Sequence, residues 1–451
     1  MRRRVVLSRS RLPRLACNVS ACLLLAFAAA GPARAEGGTG LSSSGVELGL
    51  RYTGEVIADL SGGIRRGATY DGRVDLDLDL DLARLAGWSG TTLHARAYQI
   101  HGYGPSAHFV GNFMDVSNIE ARPTTRLYAL WLQKELFGGR ASLRAGQLGA
   151  DEEFLVSDTA AAFINGTFGW APLTAANLTS GGPAYPLATP GIRLRVAPSG
   201  DVAFLLAAFA GNPAGSGCSD DPQICNRYGT TFSTSGGTLW MSELQYLVNQ
   251  GEGAAGLPGS YKLGGWYESG AFADQHYGVL ATGRSASLAS GFTVGPLEHR
   301  GDWGLYAIAD QMLWRAPGGG NRGLSAFVRI GGAPADRNLI SFYLDAGLSY
   351  KGPFAGRPDD MFALGVAHAS ISADASALDR DQRLYSDLAY PVRDYESVLE
   401  LTYIAQLTQR LSLQPDLQYV IHPGGNIPNP DHPSGAIRNA WVAGLRASIR
   451  F

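Results

Sequence analysis

Beyond its N-terminus, this sequence lacks any apolar run near the length of about 18 residues that a membrane-spanning helix needs. A membrane span in this chain would therefore be built from strands. No block of basic residues occurs and the net charge is only -2, so we expect no nucleic-acid partner. The motifs of serine nucleophiles, zinc proteases and phosphate-binding loops are also missing, so we expect no enzyme, cofactor or metal site.

Cysteine is scarce, and two of the four cysteines, Cys17 and Cys22, lie among the first 35 residues. The other two, Cys218 and Cys225, lie close together in the segment CSDDPQIC. An exported protein reaches an oxidising compartment, where this pair could form a disulfide. Two free thiols are the alternative.

The N-terminal segment has the pattern of an export signal. Six arginines precede the apolar stretch from Ala16 to Ala30, and the small-residue sequence Ala33-Arg34-Ala35 follows it. This order of positive, apolar and small residues is typical of a secretory signal peptide. We therefore predict a signal peptide over residues 1–35 and a single exported domain over residues 36–451.

Polar and apolar residues alternate along much of that domain. The clearest example is VDLDLDLDL, residues 74–82. A period of two places successive side chains on opposite faces of a strand, whereas helical spacing is nowhere sustained. The pattern predicts sixteen strands, near residues 46–60, 72–84, 90–102, 124–137, 140–149, 190–198, 200–211, 238–248, 258–270, 302–315, 321–330, 338–350, 359–371, 395–407, 410–422 and 440–451.

The connections between these strands alternate between short and long. The predicted long ones are 61–71, 103–123, 150–189, 212–237, 271–301, 331–337, 372–394 and 423–439. Outer-membrane barrels have short periplasmic turns, long external loops and an even number of strands. We therefore predict an all-β fold, a single 16-stranded antiparallel transmembrane β-barrel in the outer membrane of a Gram-negative bacterium. The longest connection, 150–189, is expected to fold inward and narrow the channel.

The last strand ends at Phe451, which shares a face with Ala443, Leu445, Ala447 and Ile449. A terminal strand ending in Phe resembles the signal that outer-membrane assembly machinery recognises. We therefore expect that machinery and outer-membrane lipid as partners. The sequence leaves a monomer and a homotrimer open.

The alternation also divides side chains between the lumen and the lipid face. Arg or Lys near the middle of the lipid face costs about 2–4 kcal/mol, so charged residues should face the lumen. Trp131 and Trp266 fall in the inward phase and could stack on a sugar ring. Five tyrosines fall in the outward phase, where they would form an aromatic girdle: Tyr128, Tyr246, Tyr350, Tyr403 and Tyr419.

The predicted lumen carries charges of both signs together with amides, which suits a neutral solute rich in hydroxyl groups. A general or anion-selective porin is the alternative, because any water-filled lumen is polar. An outer-membrane hydrolase is a third hypothesis, with His94 and His101 as the only candidate histidines on one strand and no nucleophile motif beside them.

Six segments resemble the carbohydrate-selective porin family of the OprB type, and they occur in family order. They are LRAGQLGADEEF (143–154), LGGWYESGAFAD (263–274), GLYAIADQMLWR (304–315), GLSAFVRIGGAPADRN (323–338), GPFAGRPDD (352–360) and residues 396–426, which end LQPDLQYVIHPGGN. The resemblance implies a sixteen-stranded pore whose loops line an eyelet. It also implies passive, carbohydrate-selective diffusion of small neutral sugars such as glucose.

Two criteria give the candidate residues that line the pore or contact the solute: an inward-facing position in the alternation, and a position inside one of these segments. They are Arg96, Arg144, Asp151, Glu152, Glu243, Trp266, Glu268, Arg329, Glu400 and Asp416.

Overall fold

The computed structural model of the chain describes residues 44–250, 256–318, 320–386 and 391–451. The predicted signal peptide lies outside these residues and stays a prediction. Sixteen long strands make up the fold: β1 (Val46–Gly63), β2 (Gly67–Asp81), β3 (Thr91–Gly102), β4 (Thr124–Leu136), β5 (Ala141–Leu148), β6 (Thr189–Val196), β7 (Val202–Ala210), β8 (Thr238–Val248), β9 (Gly259–Leu280), β10 (Thr293–Arg315), β11 (Gly323–Gly332), β12 (Ile340–Lys351), β13 (Met361–Ile371), β14 (Tyr395–Gln406), β15 (Leu411–Ile421) and β16 (Arg438–Arg450).

These strands form one closed antiparallel barrel. Each strand pairs with its neighbours in sequence, and β16 closes the barrel on β1, with Arg450 opposite Arg51 and Ala443 opposite Ala58. A closed barrel leaves no strand edge without hydrogen-bond partners, which a lipid environment requires. The predicted 16-stranded antiparallel β-barrel is confirmed.

The side chains alternate between a buried inner face and an apolar outer face. On β13, Leu364 and Val366 are more than 40% exposed, whereas the intervening Ala363, Gly365 and Ala367 are buried. Leucine, valine and aromatic residues take the corresponding outer positions on the other strands. The outer surface is therefore an apolar band suited to lipid.

Two connections predicted as long loops are mostly strand. β1 and β2 pair as far as Asp59 and Gly67, so only residues 64–66 join them, not 61–71. The sequence Ser61-Gly62-Gly63 has the composition of a turn, but Ser61 and Gly63 still pair with β16, and the register shifts at Gly62, which has a positive φ. Such bulges bend a strand without ending it.

The second of these connections is the predicted loop 271–301. Here β9 and β10 continue past their neighbours and pair with each other, and a short strand, Ser285–Ser287, extends the hairpin. On β9, pairing with β8 reaches only Glu268. Residues 271–301 therefore project beyond the barrel rim.

A helix, Ala373–Ser386, lies between β13 and β14, within the predicted long connection 372–394. A hydrogen bond and an ion pair hold this helix: Asp381 lies 2.8 Å from the His276 ring, and Asp379 pairs with Arg393 at 2.8 Å. Few large apolar residues mark it in the sequence, so its apolar periodicity is weak. No helix in the described residues is long and apolar enough to cross a membrane.

The predicted outward position of Tyr128 was wrong. The register between β3 and β4 shifts at this point, where Arg96 lies opposite Ala129 and Ala97 opposite Leu127. Tyr128 is the extra residue of a β-bulge, which switches the inward phase of β4 from even to odd positions. The other four tyrosines lie on the outer face, opposite outward residues of the neighbouring strands.

Phe451 follows β16, and its side chain is exposed on the outer face. Its backbone amide donates a hydrogen bond to the carbonyl of Leu50 at 3.0 Å, which ties the chain end to β1. Its recognition by assembly machinery stays a prediction.

If the apolar band lies in lipid, a charged substitution within it should destabilise the barrel more than the same substitution outside it. Val366→Arg, in the middle of β13, should lower the free energy of unfolding by about 2–4 kcal/mol. Val294→Arg makes the same change on the projecting hairpin, outside the lipid band. Its free energy of unfolding should stay within about 0.5 kcal/mol of the parent value. Urea unfolding from lipid vesicles measures both values, and equal losses would contradict the assignment of the outer face to lipid.

Candidate functional site

The connection between β5 and β6, residues 149–188, folds into the lumen. Its apolar side chains pack on the inner barrel wall: the Phe154 ring lies 6.3 Å from Phe209, and the Phe163 ring 6.1 Å from Phe327. These rings belong to one buried apolar cluster inside the barrel. The segment, called the inner loop below, therefore fills the side of the lumen that faces β7 to β14.

Acidic side chains of the barrel wall hold the inner loop by accepting hydrogen bonds from its backbone. Irregular backbone has N–H groups with no partner in a helix or sheet, and a buried carboxylate satisfies them. The bonds run from the amide of Leu155 to Glu243 (3.2 Å), from Ile164 and Asn165 to Glu400 (2.6 and 3.0 Å), and from Thr179 to Glu268 (3.2 Å). Three predicted contact residues, Glu243, Glu268 and Glu400, thus lie between wall and loop.

Arg329 on β11 anchors the same loop from a fully buried position. It is 1% exposed and pairs with Asp345 at 2.6 Å. Its remaining N–H groups donate to loop carbonyls, those of Leu155, Thr167 and Gly169. A buried charge is tolerated when it is paired and fully hydrogen-bonded, as this one is. Arg329 therefore does not border open space.

Asp416 and Trp266, two further candidates, are also largely covered. Asp416 accepts a hydrogen bond from the Gln418 side chain at 2.8 Å and is 7% exposed. Trp266 is 4% exposed and belongs to the apolar cluster under the inner loop. Its ring is therefore not open to a solute in the lumen.

The lumen stays open on the opposite side, as a cavity of about 760 Å³ beside β1 to β5, β15 and β16. We call it the eyelet cavity. Four predicted site residues border it: Arg96, Arg144, Asp151 and Glu152. Other polar and aromatic residues that border it are Arg51, Arg73, His94, Tyr98, Asn118, Tyr128, Trp131, Tyr185, Gln414 and Arg446.

Some of these lining residues were not among the candidates. Arg73 lies two positions before Asp75 on β2, so both side chains face the same side of the strand. The alternation therefore predicts that Arg73 faces the lumen. Asn118 and Tyr185 come from the connections 103–123 and 149–188, where no periodicity assigns a direction. Sequence reasoning had no signal for these two.

Five arginines and two carboxylates border the eyelet cavity, and most of the guanidinium groups are paired. The pairs are Arg96 with Asp77 and with Glu152 (2.5 Å), Arg144 with Glu153 (3.2 Å), Arg73 with Asp75 (2.8 Å) and Arg446 with Glu55 (2.7 Å). Arg51 has no ion pair or hydrogen bond within the described part of the chain. A guanidinium has five N–H donors, so these pairs leave donors for a solute.

Trp131 faces inward but its ring is covered from both neighbouring strands. His94 on β3 stacks on it with centroids 4.7 Å apart, and the Arg144 guanidinium on β5 lies 3.8 Å from the ring centroid. Neither predicted tryptophan therefore offers a free ring face for stacking on a sugar.

Burial in the lumen raises the pKa of Glu152 to about 7, although Arg96 and Arg144 favour its ionised form. Asp151, beside it, accepts hydrogen bonds from the Tyr128 hydroxyl and from the Tyr185 amide at 2.8 Å. We therefore expect the charge of Glu152 to change near neutral pH.

The two candidate histidines of a hydrolase lie on opposite faces of β3. His94 faces the lumen and lies 2.8 Å from Asp79, whereas His101 stacks on Tyr52 outside the barrel. In the part of the chain that the structure describes, no group of three His, Cys, Asp or Glu residues could hold a metal ion. Nothing here assembles a catalytic pair from these histidines.

Cys218 and Cys225 form a disulfide in the connection 211–237. The loop that it closes contacts the connection before β4, because Asp221 pairs with Arg122 at 2.6 Å and the Gln223 side chain accepts a hydrogen bond from the Arg122 backbone amide. The disulfide therefore lies in a loop that packs against the end of the connection between β3 and β4.

Removing the Arg329 anchor should widen the channel. In the Arg329→Met/Asp345→Leu variant no buried charge is left unpaired, yet three bonds to inner-loop carbonyls are lost. We expect a larger single-channel conductance and faster hydrogen exchange in residues 149–188. The lumen-facing Arg195→Met serves as control, and unchanged conductance in a folded double variant would show that Arg329 does not hold the loop.

The eyelet should become more anion-selective as the pH falls through about 7, because Glu152 then takes up a proton and no longer offsets Arg96. Reversal potentials in a KCl gradient measure this change. At every pH, Glu152→Gln should show the anion selectivity that the parent porin has at low pH. Glu298→Gln on the projecting hairpin is the control and should follow the parent. The assignment fails if Glu152→Gln follows the same pH curve as the parent.

Comparisons with known proteins agree with this geometry. The chain is 28% identical over 439 residues to Porin B of Pseudomonas aeruginosa, covering 92% of this chain and 89% of that protein. The high-pH structure of Pseudomonas putida OprB matches with a TM-score of 0.81 and 25% identity, covering 92% of this chain and 96% of that one. The low-pH structure of the same protein matches in fold, with a TM-score of 0.53 at 20% identity and coverage of 92% and 95%.

The family model described as "Carbohydrate-selective porin, OprB family" matches residues 65–451. That match spans nearly all of the barrel. The chain therefore belongs to the OprB family of carbohydrate-selective porins and forms a β-barrel of the Gram-negative outer membrane.

Proposed function

We propose that this porin mediates passive diffusion of small neutral sugars such as glucose through the eyelet cavity. The observation that carries the proposal is the mixture of donors and acceptors on one cavity wall. Arginine N–H groups, tyrosine hydroxyls, amides and carboxylates all border the same space. A sugar hydroxyl both donates and accepts, so it can exchange water for these groups at every step.

The mechanism is a series of weak hydrogen bonds with no coupling to an energy source. Conduction requires binding strong enough to favour entry and weak enough to allow exit. The inner loop narrows the lumen, so a solute passes close to the paired arginines rather than through bulk water. Guanidinium groups that are already paired bind a neutral hydroxyl less strongly than they would bind a free anion. A sugar is therefore released rapidly.

The alternative function is a general or anion-selective porin. One observation favours it: arginines outnumber carboxylates by five to two on the cavity wall. Ion pairs with Asp75, Asp77, Glu153 and Glu55 reduce this excess, because these carboxylates lie directly behind the arginines. The family description supports the sugar function over this alternative.

Sugar block of ion current tests the proposed function. With the purified porin in a planar bilayer, glucose at millimolar concentrations should reduce the single-channel current by half. Arg144→Ala should weaken this block by about tenfold, the effect of losing roughly 1.4 kcal/mol of hydrogen bonding. Arg195→Ala, which changes an arginine outside the eyelet cavity, should leave the block unchanged.

Current that persists unchanged at every glucose concentration would contradict a sugar-binding eyelet while leaving the pore intact. Block by small anions in the absence of sugar block would support the anion-selective alternative.

A further inference from the structure

A second cavity adjoins the eyelet cavity on the side of the long connections. It has a volume of about 210 Å³, and we call it the vestibule. All of its lining residues come from the connections 103–123, 149–188 and 211–237 rather than from strands. Asn118, Asp151 and Tyr185 border both cavities, so the vestibule lies directly beside the eyelet cavity.

The vestibule differs from the eyelet cavity in the sign of its charge. Asp115, Glu120 and Asp151 border it, and no lysine or arginine is among its lining residues. Glu120 is held by the Ser106 hydroxyl at 2.6 Å, and Asp151 by Tyr128 and Tyr185. The side chain of Asp115 is exposed and makes no hydrogen bond or ion pair among residues that the structure describes. Its carboxylate therefore faces the solute path.

The charge of Asp115 depends on how far the surrounding protein shifts its pKa. Loss of water within the protein walls raises its pKa to about 6, which leaves the group mostly ionised at neutral pH and above. The vestibule thus presents a negative charge that no basic lining residue offsets.

The eyelet cavity presents the opposite charge at Arg51. This residue lies directly opposite Arg450 across the β1–β16 pair and has no ion-pair partner, unlike the other four arginines. A solute that crosses the barrel therefore meets an unpaired carboxylate first and an unpaired guanidinium second.

We propose that Asp115 and Arg51 form a two-stage charge filter that makes the pore selective for neutral sugars. The vestibule repels solutes with net negative charge, the eyelet repels solutes with net positive charge, and a neutral polyol meets no net barrier at either stage. Charge repulsion is strong in a narrow passage because the protein walls lower the effective dielectric constant. This inference rests on the proposed sugar function.

Solute flux into proteoliposomes tests the filter, with glucose, gluconate and glucosamine as neutral, anionic and cationic probes of similar size. Asp115→Asn should raise the gluconate-to-glucose flux ratio by about threefold or more. Arg51→Gln should raise the glucosamine-to-glucose ratio by a similar factor. Both shifts should shrink in high salt, where charges are screened within a few ångströms.

The projecting hairpin supplies matched controls, because Glu298→Gln and Arg300→Gln remove one charge of each sign outside the lumen. Neither control should change the flux ratios. Since Asp115 and Arg51 have no ion-pair partners, their replacement leaves no charge unpaired, and the variants should fold like the parent.

The outcomes separate the filter from the proposed function. Unchanged ratios in either lumen variant, with glucose still permeating, would overturn the filter and leave the sugar function standing. If the parent porin itself passed no glucose in this assay, the proposed function would fail.

Discussion

The hydrogen bonds between wall carboxylates and the backbone of the inner loop determine the shape of this pore. A loop of irregular backbone can lie inside a barrel only if its amide groups find partners there. Glu243, Glu268 and Glu400 supply those partners from three different strands, and Arg329 does the same for the loop carbonyls. Without these side chains, the backbone amides and carbonyls of the inner loop would have no hydrogen-bond partners inside the barrel. The loop would then have a lower free energy in water outside the barrel.

This anchoring divides the lumen into a packed half and an open half. In the packed half, Phe154, Phe163 and Trp266 form an apolar core of the kind found in water-soluble proteins. In the open half, arginines such as Arg96 and Arg144 are paired with acids and still keep free donors. A barrel of sixteen strands would otherwise enclose a wide aqueous channel. The inner loop thus converts the barrel into a narrow passage with one polar wall.

Strand positions were predictable because lipid outside and polar groups inside force a period of two. All sixteen strands were predicted, and two of the errors occurred where one residue breaks that period. Gly62 and Tyr128 lie in bulges, so the first was interpreted as part of a turn and the second was placed on the wrong face. The helix Ala373–Ser386 has too few apolar residues to show helical spacing.

Fewer than half of the candidate residues border the eyelet cavity, because the alternation shows which side chains face inward but not what they contact there. Arg96 and Glu400 have the same phase, yet one borders water and the other is covered by the inner loop.

The final arrangement follows from a chemical asymmetry. Loop amides are donors and need acceptors, so the carboxylates Glu243, Glu268 and Glu400 are used at the covered wall. Arginines are donors, and most remain at the open wall. A chain that is nearly neutral overall therefore acquires a channel surface rich in N–H donors.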